Sequence, residues 1–291
     1  MTELTFTDGT RVTSAEEATT SPAICHVALV VPQSINIAVS LPVGNWNGRF
    51  QGVGGGGYAG SVSFPDDAAS AGYAAAATDT GHTGSGGDWA WSPTGMKWNL
   101  IEDFAFRSLH ELTVKGKAVT RAFYGESPAY AYWNGCSTGG RQGLMEAQRF
   151  PDDYDGIVSA APAINWDRFI PAGGKLIIWH GWADSLIFGQ GSIDYYERVV
   201  RKMGGPQRTG QFARLFMAPG VDHCGGGSGA APTDPLAALV AWVEQGKAPD
   251  SLPGQSVSGM TRPLCVWPEV PRYKGHGSTA EATSFRCSAR Y

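Results

Sequence analysis

The sequence predicts an α/β fold, with a mostly parallel central sheet and helices on both faces. Three observations predict it. After residue 129, short apolar segments alternate with amphipathic ones, which is typical of parallel strands joined by helices. The chain has 291 residues, a length at which single α/β domains are common. Hydrophobic residues make up 42% of it, enough for one large core, so we expect a single domain over residues 1–291.

The first half of the chain begins with strands in an antiparallel arrangement. Alternating apolar residues separated by turn residues predict three of them, at 25–31, 35–41 and 49–53. A short apolar run predicts a buried strand at 73–78. A long amphipathic helix is expected over 102–124, because apolar residues recur there among charged ones and Gly125 follows.

From residue 129 onward, strands and helices alternate. The expected strands are 129–134, 157–161, 175–180 and 213–217. The expected helices are 139–150, 192–203 and 235–245. Residues 162–174 separate the second strand of this series from the third, and they are barely enough for a parallel crossover. We interpret this segment as a short bridge at a point where related proteins carry a larger insertion.

Composition and charge argue against several classes of partner. Lys and Arg number 22 against 26 Asp and Glu, and no basic run occurs, so we expect no nucleic acid. No apolar run of about eighteen residues is present, which argues against a membrane span. No H-x-x-x-H or C-x-x-C spacing is present either, so we expect no metal and no other cofactor.

A catalytic motif lies between a predicted strand and a predicted helix. Residues 135–139 read Gly-Cys-Ser-Thr-Gly, which is the G-x-S-x-G pattern of a nucleophile elbow. We interpret Ser137 as the nucleophile and the Thr138 N–H as one donor to an oxyanion; the alternative is a glycine-rich turn with an incidental serine. The glycine run 54–57 follows an early strand, as the glycine loop of esterases does. Gly55 is therefore the expected second donor, and a flexible glycine loop is the alternative.

A serine nucleophile needs a base, and the base needs an acid that orients it. In this type of fold, acid and base follow later strands in that order. Asp184 follows the strand predicted at 175–180 and His223 follows the strand predicted at 213–217, so we predict them as the acid and the base. For His180 a packed histidine at the end of a strand is an equal alternative to a functional role. We expect the substrate to contact His180, Leu186 and Trp166.

Two cysteines adjoin the predicted catalytic residues. Cys136 precedes Ser137 and Cys224 follows His223. A hydrogen bond between this serine and this histidine would bring the neighbouring cysteines close enough for a disulfide. Because that bridge would close a long loop, chain entropy predicts a stabilisation of about 4–5 kcal/mol.

The other cysteines suggest one further bridge. Cys265 and Cys287 are expected to pair within the C-terminal segment, and Cys25 is expected to be a buried free thiol. Paired cysteines favour an extracellular location. Residues 1–6 have neither the basic nor the apolar region of a secretory signal. We therefore expect that the secretory signal of this protein is not part of this chain.

Several longer motifs carry a family resemblance. They are Q-G-V-G-G-G-G at 51–57, T-D-T-G-H at 78–82, W-N-G-C-S-T-G-G-R-Q-G at 133–143, K-L-I-I-W-H-G-W-A-D at 175–184, A-P-G-V-D-H-C-G-G-G at 218–227 and T-R-P-L-C at 261–265. In these motifs the chain resembles the tannase and feruloyl esterase family, which includes mono(2-hydroxyethyl) terephthalate hydrolase. The resemblance implies an α/β-hydrolase fold and a secreted enzyme for esters of aromatic acids. It also implies a triad flanked by a disulfide, here Cys136, Ser137, Asp184, His223 and Cys224.

Members of this family usually have a large lid domain, often with bound calcium, at the position of the 162–174 bridge. The chain therefore resembles a member from which the lid domain is absent. An open site of this kind is expected to accept bulky esters and to bind small ones weakly, because less of the ligand is buried.

The sequence predicts a serine carboxylic-ester hydrolase that forms an acyl-enzyme. Its expected partners are small or polymeric esters of aromatic acids: feruloyl, galloyl or terephthalate esters, including polyethylene terephthalate. One alternative is a broad short-chain esterase or polyester depolymerase without a preference for aromatic acids. A second alternative is a non-catalytic binding module with an esterase fold.

Overall fold

A computed structural model describes residues 4–19, 21–163 and 174–289. The chain divides into two compact units, Met1–Asp155 and Gly156–Tyr291. The single domain expected over 1–291 stays a prediction. Trp166 and the bridge expected at 162–174, apart from its ends, lie outside the described residues. Within the described ranges, no helix is both long enough and apolar enough to cross a bilayer.

The first unit contains a mixed sheet and a short hairpin. Its strands are β1 (Arg11–Ala18), β2 (Ile24–Val31), β3 (Ile35–Pro42), β4 (Arg49–Val53), β5 (Ala74–Thr78), β6 (Trp91–Ser92), β7 (Gly95–Met96) and β8 (Tyr130–Cys136). The sheet order is β1-β2-β3-β5-β4-β8, and β6 pairs with β7. The first three pairings are antiparallel, whereas β4 runs parallel to β5 and β8. The sequence missed β1, because this strand is largely exposed and polar and shows no apolar alternation.

The helices of the first unit differ from expectation at one point. They are α1 (Asp66–Ser70), α2 (Trp98–Glu102), α3 (Ser108–Tyr124) and α4 (Thr138–Arg149). The helix predicted over 102–124 is interrupted, because a π-helical turn over Asp103–Arg107 joins α2 to α3. The buried guanidinium of Arg141 donates to the carbonyls of Phe104 and Ala105 in this turn, at 3.0 and 3.2 Å. The end of α3 is as predicted, with Gly125 in a left-handed cap.

The second unit contains a parallel three-stranded sheet with helices. The sheet strands are β9 (Gly156–Ala160), β10 (Lys175–Gly181) and β11 (Ala213–Ala218), and the helices are α5 (Gln190–Lys202), α6 (Pro206–Thr209) and α7 (Pro235–Gln245). Strand β10 lies between the other two. Nearly every residue of β9 and β10 is buried, as expected of parallel strands covered on both faces. The predicted strands and helices of this half are confirmed to within two residues.

Short strands precede and follow α7 in the C-terminal segment. They are β12 (Ala231–Pro232), β13 (Ser251–Gln255), β14 (Thr261–Cys265), β15 (Val270–Tyr273) and β16 (Phe285–Ser288). Strands β12, β13 and β14 form one antiparallel sheet, and β15 pairs with β16. The predicted disulfide between Cys265 and Cys287 is confirmed, with a Cα–Cα distance of 5.6 Å, and it ties β14 to β16.

A buried carboxyl group lies in α4. Glu146 is 0% exposed, and neither carboxylate oxygen has a hydrogen-bond partner within the described part of the chain. Burial raises the pKa of Glu146 well above its ordinary value of 4.5, and the nearby Asp153 carboxylate raises this pKa further. The folded chain therefore holds the Glu146 proton more tightly than the unfolded chain does.

This proton makes folding stability depend on pH. The free energy of unfolding keeps its full contribution from this proton below about pH 4.5. As the pH rises from there toward the raised pKa of Glu146, the free energy of unfolding falls by up to about 1.4 kcal/mol per pH unit. We expect Glu146→Gln to remove this slope, so that the variant unfolds at a higher temperature than the wild type at pH 8. Thermal unfolding from pH 4 to 8 measures the effect, with the exposed Glu126→Gln as control. Parallel pH curves for wild type and Glu146→Gln would contradict it.

Candidate active site

Ser137 occupies a strained turn between β8 and α4. Its backbone has φ 60° and ψ −121°, a conformation that costs a residue other than glycine about 1–3 kcal/mol. A Cβ atom on Gly135 would lie 2.5 Å from the carbonyl oxygen of Gly139, so the turn excludes larger residues there. This geometry is that of a nucleophile elbow.

The glycine run 54–57 packs against this elbow. A Cβ atom on Gly54 would lie 2.6 Å from the Cα atom of Gly139. The Thr138 hydroxyl donates to the carbonyl of Gly57 at 2.5 Å. Thr138 is the first residue of α4, so its backbone N–H has no acceptor within the helix. The run and the helix N-terminus thus lie side by side, as two sides of an oxyanion site must.

The N–H groups of the glycine run differ in whether they already donate a hydrogen bond within the protein. Gly54 donates to the carbonyl of Asn134 and Gly55 donates to Oε1 of Gln142, both at 3.0 Å. The expectation that Gly55 supplies the second oxyanion donor therefore needs correction, because its only N–H proton is already bonded to a side chain. Within the described ranges, the N–H groups of Gly56 and Gly57 donate no hydrogen bond.

Gln142 is a site residue that the sequence reasoning missed. It is almost fully buried in α4, and its Oε1 atom fixes the Gly55 backbone. The helical spacing contained a usable signal, because Gln142 is four residues after Thr138 and therefore lies on the same face of α4.

An aromatic cluster adjoins the glycine run. Tyr58 directly follows the run, and its ring centroid lies 6.1 Å from that of Phe104. His82 stacks on Trp89 at 3.9 Å, and Arg141 lies over Phe104 at 4.6 Å. Burial lowers the pKa of His82, and it lowers the pKa of Arg141 to about 10. The cluster joins the T-D-T-G-H motif, the π-helical turn and α4 in one packed region.

The second unit brings the predicted acid and base together. Nδ1 of His223 lies 2.7 Å from Oδ2 of Asp184. Oδ1 of Asp184 accepts the backbone N–H groups of Leu186 and Ile187, both at 2.9 Å. Burial alone would raise the pKa of Asp184, but the bonds from Ile187, His223 and Leu186 outweigh it and hold this pKa below its ordinary value. Because Asp184 engages Nδ1, Nε2 is the ring nitrogen of His223 that remains for proton transfer.

The expectation that His180 contacts substrate needs correction, because the protein encloses its side chain. Its side chain is 0% exposed. Nδ1 lies 2.7 Å from Oγ of Ser192, and Nε2 lies 3.0 Å from Oδ2 of Asp184 and 2.8 Å from the carbonyl of Ile187. Both ring nitrogens are therefore bonded inside the protein, and a ligand has no access to them. His180 is therefore packed at the end of a strand and bonded to the predicted acid, with no ring nitrogen left for a ligand.

Leu186 lies in an exposed apolar segment beside the acid. Its exposure is 74%, and that of Phe188 is 77%. The expected contact between Leu186 and substrate stays a prediction.

Glycine at position 181 allows the loops of the acid and the base to meet. A Cβ atom on Gly181 would lie only 2.1 Å from the carbonyl oxygen of Val221. The next two residues donate backbone hydrogen bonds across the same contact, from Trp182 to Ala218 at 2.9 Å and from Ala183 to Val221 at 3.0 Å. The hydrogen bond between Asp184 and His223 depends on this close approach.

We expect Gly181→Ala to force the two loops apart. Such overpacking lowers the free energy of unfolding by about 1–3 kcal/mol, and the displaced Asp184 lowers ester turnover as well. Gly191→Ala is the matched control, because a Cβ atom there meets nothing within 4 Å and alanine stabilises a helix by about 0.5–1 kcal/mol. Urea unfolding of both variants checks the difference. Equal stabilities for the two would refute the steric argument.

Three further cysteines differ in their bonding state. Cys136 and Cys224 are both disulfide-bonded. Cys25 is a free thiol, as predicted, but it is half-buried rather than buried. Burial raises the pKa of the Cys25 thiol.

Among the described residues, no group of three or more His, Cys, Asp or Glu side chains could hold a metal ion.

Comparisons with known proteins find similar sequences and a similar fold. The family model described as "Tannase and feruloyl esterase" matches residues 21–169 and 165–288. A probable feruloyl esterase of Arthroderma benhamiae is 29% identical, with 94% of this chain and 87% of that protein covered. Its alignment extends over 470 positions, although this chain has 291 residues. The relative therefore has additional residues within the aligned region.

Two further proteins are similar in part or in fold. The mono(2-hydroxyethyl) terephthalate hydrolase of Piscinibacter sakaiensis is 42% identical over 144 residues, which cover 47% of this chain and 23% of that protein. The crystal structure of an esterase from Aspergillus oryzae superposes with a TM-score of 0.87 at 21% identity, and 98% of each chain is covered. At that identity the superposition shows a shared fold, which is the α/β-hydrolase fold.

Proposed function

This chain belongs to the tannase and feruloyl esterase family, and we propose that it is a serine carboxylic-ester hydrolase that works through an acyl-enzyme. The observation that carries the proposal is the hydrogen bond of 2.7 Å between Asp184 and His223. These are the residues to which the family motifs assign the acid and the base. The strained turn at Ser137 supports the same conclusion from the first unit.

The proposed reaction has two halves. Oγ of Ser137 attacks the ester carbonyl, and Nε2 of His223 takes the serine proton while Asp184 stabilises the imidazolium. The N–H of Thr138 and that of Gly56 or Gly57 stabilise the oxyanion. His223 then gives the proton to the leaving alcohol. In the second half, water attacks the acyl-enzyme while His223 takes its proton, and the acid leaves as His223 returns that proton to Oγ of Ser137.

We also propose that Cys136 and Cys224 bond to each other. Both are disulfide-bonded, Cys265 pairs with Cys287, and Cys25 is free. A bridge beside Ser137 and His223 would restrain the loops that contain them. Two disulfides agree best with an extracellular location, because the cytosol keeps thiols reduced.

The proposed substrates are esters of aromatic acids. The names of the relatives from A. benhamiae and P. sakaiensis refer to feruloyl and terephthalate esters. The longer aligned region of the first relative agrees with an insertion that this chain lacks, which supports a lidless and open site. We therefore expect weak binding of small esters.

The test compares methyl ferulate with p-nitrophenyl acetate as substrates of the whole chain. A higher kcat/KM for the ferulate, with a KM far above the micromolar range, supports an aromatic-acid esterase with an open site. Equal values would favour the broad short-chain esterase or polyester depolymerase. No turnover of either ester and no labelling of Ser137 by a fluorophosphonate would favour the binding module.

A further inference from the structure

Asp184 is bonded to two histidines rather than one. Its Oδ2 atom is 2.7 Å from Nδ1 of His223 and 3.0 Å from Nε2 of His180. We propose that His180 is a positioning residue for the catalytic acid, because it donates a hydrogen bond that orients the Asp184 carboxylate toward His223. This inference rests on the proposed function, because it assigns His180 a role in the same reaction.

The tautomer of His180 follows from its partners. Nε2 faces the Asp184 carboxylate and, at 2.8 Å, the carbonyl oxygen of Ile187. Both are acceptors, so Nε2 must carry a proton. Nδ1 lies 2.7 Å from Oγ of Ser192, whose hydroxyl donates to it when the ring is neutral. Ser192 therefore holds His180 in the tautomer that donates to Asp184.

The charge state of His180 follows from its burial. The ring is fully buried, and burial lowers its pKa, although Ile187 and Asp184 oppose this shift. The titratable groups that interact with His180 are Asp184 and His223. A neutral donor suits this position, since it stabilises the Asp184 carboxylate without replacing its bond to His223.

This second donor has a consequence for the orientation of the base. Oδ1 of Asp184 accepts two backbone N–H groups, and the N–H of His180 fixes Oδ2, so the carboxylate cannot rotate away from Nδ1 of His223. Loss of the His180 donor should therefore loosen the orientation of His223, which lowers kcat and leaves KM largely unchanged.

The test uses His180→Leu, which removes the donor, and His180→Gln, whose amide N–H restores one. For p-nitrophenyl acetate we expect His180→Leu to lower kcat about 10- to 100-fold with little change in KM, as is typical for loss of an orienting outer hydrogen bond. His180→Gln should recover most of the lost kcat. Ser192→Ala, which removes the hydroxyl that fixes the tautomer of His180, should lower kcat by a smaller factor.

Several results would overturn this role. They are an unchanged kcat in His180→Leu, a rise in KM that accounts for its whole loss of activity, or no recovery of kcat in His180→Gln. If His180→Leu does not fold, an unaltered kcat in Ser192→Ala decides against the role. Failure of the proposed function is distinct, because the wild type would then hydrolyse no ester.

Discussion

Ser137→Ala is expected to lower kcat/KM for any ester substrate by at least about 10⁴-fold. Alanine removes the Oγ atom that attacks the carbonyl, and the backbone turn at φ 60° can stay as it is. Little change in unfolding temperature should accompany the loss. Steady-state hydrolysis of methyl ferulate and p-nitrophenyl acetate measures it.

A second serine provides the control for this prediction. Ser85 is exposed, and Ser85→Ala should retain full turnover. Fluorophosphonate labelling followed by peptide mass analysis should modify the wild type and Ser85→Ala at Ser137, and should leave Ser137→Ala unmodified. Ester turnover by Ser137→Ala above a hundredth of the wild-type rate would rule out the nucleophile assignment.

Asp184→Asn is expected to lower kcat by about 10³- to 10⁴-fold. The amide offers an NH₂ group where Oδ2 of Asp184 accepts from His223 and His180. His223 would then accept at Nδ1 and carry its proton on Nε2, from which it cannot take the serine proton. The amide is of nearly the same size, so KM should change little.

Asp194→Asn is the matched control for this prediction. Asp194 is an exposed residue of α5 that accepts a hydrogen bond from Gln190. Its replacement should leave kcat within about twofold of the wild type, since an exposed polar contact contributes little. An Asp184→Asn variant with more than a tenth of wild-type kcat would show that another group orients the base.

Much of the fold and the acid–base pair could be predicted because the signals are local. The G-x-S-x-G pattern needs a sharp turn between strand and helix, and Ser137 has the strained backbone that such a turn requires. Asp184 and His223 follow neighbouring parallel strands, and the C-terminal ends of parallel strands share one edge of a sheet. Chain order and strand position therefore sufficed to pair them.

The unpredicted features depend on contacts between distant residues. Gly55 could not be excluded as a donor without knowing that Gln142, in a later helix, accepts its N–H. The role of His180 depends on its bond to Asp184 and on Ser192, which lies in α5 outside the motif that contains His180 and Asp184. The interruption of the long helix depends on Arg141, since a periodic apolar pattern does not reveal a guanidinium that satisfies displaced carbonyls.

The manner in which Asp184 is held bears on how this enzyme can evolve. Its Oδ1 atom is bonded to the backbone N–H groups of Leu186 and Ile187, and every amino acid except proline offers that group. The side chains of Leu186 and Phe188 project into solvent beside the acid. Mutation at these two positions therefore keeps the bonds that hold Asp184, which makes them suitable targets for a selection library that searches for new ester preferences.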